Sequence, residues 1–137
     1  MKKEKDNEKT QQTSLALAYM VLPSSILDWF DIVKVREEIT DPTGKEVFVG
    51  IIHIFLDESD NRDTDNIQLR PNGFTEESVV ADFPIRDRKV LLHIRRRRWL
   101  DGDGRNVILS AYPLVAEGTR YSPEFAAFLK VPTTVPV

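Results

Sequence analysis

The chain has 137 residues, 41% of them hydrophobic, which suffices for one compact domain with a modest core and is too little for two ordinary ones. A formal charge of −3 and a pI of about 5.4 exclude a nucleic-acid binder coated all over with lysine and arginine, so any basic function has to be local. The absence of cysteine excludes disulfides and thiolate-bound zinc.

Residues 1–13 are polar and charged with no large apolar group, and they predict a disordered tail ahead of a single domain over residues 14–131. The apolar run "LALAYMVL" falls short of the roughly 20 residues that a membrane-spanning helix needs, and it lacks a signal-cleavage context before Pro23. The expected location is therefore cytoplasmic, with no membrane partner. Pro23 interrupts any continuous helix, and Ser24 or Ser25 is placed to cap a short one over 24–30, through Ile26, Leu27, Trp29 and Phe30.

"DIVKVREEI" alternates as a strand over 31–39, "TDPTGK" carries hairpin-turn residues, and a returning strand is expected over 46–57. Residues 57–65 hold five acids against Arg62 alone, and "DESDNRDTDNIQLRPNG" over 57–73 predicts a mobile acidic loop. A third strand is expected over 76–83, ended by Pro84, and two more over 88–100 and 105–112 around Asp101-Gly102-Asp103-Gly104. After a turn at Gly118, Ser122 as cap and Pro123 at the first helical position predict a helix over 122–130, with Phe125, Phe128 and Leu129 on one apolar face. Residues 132–137 are expected to be an extended tail. The predicted fold class is α+β, a mostly antiparallel sheet of about five strands with a helix at each end.

Within "KVLLHIRRRRWLDGDGRNVILSAYPL" four arginines interrupt residues that read as strands, and residues 86–105 carry eight cations against three aspartates. A hairpin with Arg105 opposite Leu100 sorts the side chains, because successive residues of a strand point to opposite faces. Arg96 and Arg98 fall with Leu92, Ile94 and Leu100 on an apolar face, their stems on the core and their heads at its edge. His93, Arg95, Arg97 and Trp99 fall on the other face with Tyr112, Ser110 and Ile108. Guanidinium groups beside an indole and a phenol suit a phosphate backbone, and Lys89 and Arg105 belong to the same positive pole. The alternative is a network of ion pairs with Glu37, Glu38 or the acids of residues 57–65. A single β-bulge would exchange the two faces beyond it.

Other chemistry is thinly represented. His53 and His93, each flanked by apolar residues on an expected strand, read as core or sheet histidines, and no metal site is expected. "GIIHIFLDESDN" and "VLLHIRRRRWLDGDG" echo one another, either through duplication or because two buried strands draw on one small alphabet. The acidic loop lacks the glycine and the closing glutamate of a calcium loop. No nucleophile context is present, and neither a catalytic residue nor a cofactor is expected.

From about residue 22 to residue 130 the chain resembles the N-terminal region of certain bacterial insertion-sequence transposases, encoded as a short protein ahead of the catalytic chain. "DFPIRDRKVLLHIRRRRWL" and "LVAEGTRYSPEFAAFLK" carry the likeness, with "LPSSILDWFDIVKV" and "HIFLDE" in support. The chain departs where related proteins have a cysteine zinc module, since "LDGDGRNVILSAY" supplies an ordinary hairpin there, and it has Glu117 where lysine is usual. The resemblance implies a non-catalytic role in transposition. One form is binding the duplex DNA ends of the element through the arginine-rich hairpin. The other is a protein-interaction module that docks on the separate catalytic transposase chain or on a second copy of itself.

Overall fold

The computed structural model describes residues 2–109, 112–114 and 119–130. Ten elements follow in chain order: α1 (Lys2–Val21), α2 (Ser24–Leu27), β1 (Phe30–Ile39), β2 (Gly50–Glu58), β3 (Arg70–Phe74), β4 (Ser78–Ile85), β5 (Arg88–Arg95), β6 (Arg97–Leu100), β7 (Asn106–Val107) and α3 (Pro123–Lys130). The class is α+β, as the sequence predicts, but the strands divide into two sheets: four in the order β1-β2-β5-β4, and three in the order β3-β6-β7. All neighbours are antiparallel except β2 and β5, which run parallel.

One face of the larger sheet carries the core. Phe30 and Ile32 of β1, Ile54 and Leu56 of β2, Val80 of β4 and Val90, Leu92 and Ile94 of β5 are buried under Ala18 of α1, Leu22 just past its end, Ile26 of α2, and Leu114. Strand alternation supplies this face, since one side chain in two points inward. Gly50 opens β2 where a Cβ would stand 2.7 Å from the carbonyl oxygen of Glu38, so only glycine lets the two strands close there.

Helix α1 corrects the expected tail over residues 1–13. Lysine, glutamate and glutamine are good helix formers, and neither glycine nor proline occurs before Pro23. Leu15 and Ala18, with Leu22 just past its end, pin the helix to the core. Gln11, with its amide oriented to suit, both donates to and accepts from the backbone of Val35 at 3.1 Å, satisfying the edge of β1 just past its bulge.

Helix α2 ends before the expected residue 30 because Phe30 already pairs with Glu58 in the sheet. Neither Ser24 nor Ser25 caps it. The residue before it is Pro23, and Ser25 Oγ instead lies 2.7 Å from Tyr112 Oη. At the other end the expectation holds: Ser122 Oγ accepts from the Phe125 N–H at 3.3 Å and donates to Asp82 at 2.7 Å. Pro84 does not end β4, which continues to Ile85 through a register shift where proline owes no ladder bond.

The strand expected over 88–100 is broken at Arg96, and of the one expected over 105–112 the described residues form a strand at Asn106–Val107. The hairpin is one residue out of the expected register, with Trp99 opposite Val107 and Leu100 opposite Asn106. Asp101 holds its turn by accepting from the N–H groups of Asp103 and Arg105, both at 2.9 Å, and Gly104 takes the left-handed conformation the turn needs. Ser110 and Ala111, the Gly118 turn and the tail over 132–137 lie outside the described residues.

Candidate functional site: the arginine crossover

At Arg96 the chain leaves one sheet for the other. Thr75, 21 residues upstream, takes the place of a ladder partner: its N–H donates to the Arg96 carbonyl at 2.8 Å, and its hydroxyl accepts from the Arg96 N–H at 3.0 Å. The interruption shifts side-chain parity, as a bulge does. Before it the even residues Val90, Leu92 and Ile94 point inward; beyond it the odd residue Trp99 is buried, with 1% of its surface exposed. Trp99 is therefore core, which corrects its expected place on an open face.

The four guanidiniums are tied into the fold. Arg95 donates from Nε and Nη2 to the two carboxylate oxygens of Asp57, at 2.7 and 2.5 Å, and lies 4.6 Å over the Phe74 ring. The Asp57 hydrogen bonds raise the affinity of that guanidinium for its proton, although 45% of the side chain remains exposed. Arg96 points the other way, donating to the Tyr112 carbonyl at 2.9 Å, with Nη1 3.7 Å from a Glu58 oxygen. Arg97 gives its backbone N–H to the Glu58 carboxylate and its Nε to the Glu58 carbonyl, both at 2.8 Å, with its guanidinium near the rings of Phe74 and Trp99. Arg98 donates to the Asn72 carbonyl at 3.3 Å.

Glu58 explains why the charges are here. It is 1% exposed at the end of β2, and a buried carboxylate costs several kcal/mol unless it is paired and hydrogen-bonded. Arg96 and Arg97 supply both. Sequence reasoning missed Glu58 because it belongs to a stretch rich in acids and looks solvated.

The acidic loop is folded rather than loose. Arg62 donates to both Asp60 oxygens and to the Leu69 carbonyl, and it caps the indole of Trp99 at 4.5 Å, while Asn61 accepts from the indole N–H at 2.8 Å. The Arg62 hydrogen bond lowers the Asp60 pKa to about 2. The lone cation among five acids was the signal in the sequence.

The remaining candidates do not join one surface. His93 faces the outer side of the large sheet between His53 and Glu77. Lys89 stands over Phe48 at the far end of β5, and Arg105 is exposed at the hairpin turn. Tyr112 packs against Trp29 and Phe30 beside α2, away from His93, which it was expected to face. Among the described residues no group of three or more histidine, aspartate or glutamate side chains is placed to hold a metal.

An apolar strip forms a second candidate. Leu17 and Val21 of α1 share a cavity of about 340 Å³ with Ile85 of β4, and Val21 and Ile85 share a smaller one with Phe83. Phe83 in turn touches Phe125 and Phe128 of α3, with ring centroids 5.2 and 5.5 Å apart. Phe128 is 61% exposed and Met20 80%, and Leu17, Val21 and Leu129 are exposed as well. Of the apolar helix face expected from Phe125, Phe128 and Leu129, the last two are thus on the surface; Ala126 is the buried residue of α3.

Compared with protein-family models, curated proteins and solved structures, the chain finds no match. Among the described residues no helix is long and apolar enough to cross a membrane.

Proposed function

We propose that this domain is a non-catalytic accessory module of a transposition system, and that it works by docking its apolar strip onto the separately encoded catalytic chain. The observation that carries the reading is the strip itself. Leu17, Val21, Ile85, Phe83 and Phe128 run continuously across α1, β4 and α3, with large side chains left in solvent. Contiguous exposed apolar surface of this kind marks protein-interaction sites. The resemblance of "DFPIRDRKVLLHIRRRRWL" and "EFAAFLK" to transposase N-terminal regions supports the choice of partner. Contact with the duplex DNA ends is the second reading; the exposure of Arg95 and Lys89 supports it, and the internal bonds of Arg96, Arg97 and Arg98 weigh against it.

Co-purification with the catalytic chain of the same element tests the proposal. Leu17→Glu together with Phe128→Glu is expected to reduce capture at least tenfold while leaving the fold intact, because both side chains are exposed. Capture that survives this variant overturns the reading. So does a salt-sensitive duplex complex that Arg95→Ala with Lys89→Ala weakens and the apolar variant leaves alone. A concentration-dependent dimer abolished by the same variant would assign the strip to a second copy instead.

A further inference from the structure

The parallel pairing of β2 with β5 sets His53 beside Leu91 and Phe55 beside His93, so the two histidines share the outer face, two residues out of step. His53 Nδ1 lies 2.7 Å from His93 Nε2. The outer nitrogens are engaged too: His53 Nε2 lies 2.8 Å from Glu38 Oε1, and His93 Nδ1 lies 2.6 Å from Glu77 Oε1. The echo between the two histidine strands thus has a structural counterpart.

Three contacts in series fix the number of protons. An ionised carboxylate only accepts, so each outer contact needs a hydrogen on the ring. The middle contact needs one hydrogen between two ring nitrogens, and has room for only one. Three hydrogens on four nitrogens make one imidazolium and one imidazole. We infer that the row Glu38, His53, His93, Glu77 is a binding site for a single proton, shared by the histidine pair.

Two neutral rings would leave one of the three contacts without a hydrogen, and two imidazolium rings would drive N–H against N–H at 2.7 Å. Phe55, stacked on His93 with centroids 4.3 Å apart, offers a π face to the cation. The other charges around the pair are Lys34 and Arg36 on β1, Asp57 on β2, Lys89 and Arg95 on β5, and Glu76 beside Glu77; β4 contributes Val79 and Ala81, which carry none. Glu77 lies two residues from Thr75, which pins Arg96.

Long-range ¹H–¹⁵N correlation of the ¹⁵N-labelled chain tests this, since His53 and His93 are its only histidines. At neutral pH the ring protons are expected to total three over the four nitrogens; a total of two or of four overturns the inference. Glu77→Leu removes an acceptor at an exposed position and is expected to lower the total to two, whereas Lys34→Ala leaves it at three. A total that stays at three in Glu77→Leu shows that the row does not set the charge, and also overturns it.

Discussion

Replacing Glu58 with alanine is expected to destabilise the domain by about 3–5 kcal/mol, the cost of breaking a buried ion pair by removing one partner. The carboxylate is 1% exposed and answers two neighbours, the Arg97 N–H at 2.8 Å and the Arg96 guanidinium at 3.7 Å. Without it, Arg96 loses its carboxylate partner and Arg97 has an N–H with no acceptor. A domain of ordinary stability has only about 5–15 kcal/mol in total, so the change is severe. The same substitution at Asp60 removes an ion pair with Arg62 whose acid is half exposed, worth about 0–1 kcal/mol. Urea unfolding of the two variants measures the contrast, and equal losses would mean that Glu58 is solvated.

Trp99→Ala is the second large effect, expected at about 3–5 kcal/mol for removing a buried aromatic ring. Trp99 is a hub: it pairs with Pro71 and Val107 in the small sheet, receives Arg62 over its ring and binds Asn61 through its indole N–H. Its loss is expected to unfold the acidic loop and the hairpin together. The fluorescence of the intact protein gives an independent check, because Trp29 is 46% exposed while Trp99 is buried. Acrylamide is expected to quench one tryptophan class and spare the other, and Trp99→Ala is expected to remove the protected class. Two classes quenched alike would contradict the burial of Trp99.

The parts of this fold that were legible in the sequence are local. The first hairpin could be read because "DIVKVREEI" alternates and Asp41, Gly44 and Lys45 form a turn, in which Asp41 accepts from the N–H groups of Thr43 and Glu46. The Ser122 cap with Pro123 after it was legible for the same reason. What was not legible depends on residues far apart in sequence. The parity shift at Arg96 needs Thr75, and the pairing of His53 with His93 needs two parallel strands 40 residues apart. The arginines looked like a surface because their acceptors, Glu58 and the carbonyls of Tyr112 and Asn72, lie 16 to 39 residues away. The start of helix α1, up to residue 13, reads as a tail because it is polar; the apolar anchors come later, at Leu15 and Ala18 and, just past the helix, Leu22.

Arg97 ties the small sheet to the end of β2 through Glu58, and Arg96 braces the same carboxylate and the Tyr112 carbonyl. Urea unfolding of Arg96→Lys with Arg97→Lys tests this most directly, since the charge is kept and the fork is lost. Losing the bonds to Tyr112 and Glu58 is expected to cost at least about 2 kcal/mol, a fall of about 1 M in the urea midpoint. A variant with the parent midpoint would contradict the account, because cations that serve only as an outward charge are interchangeable.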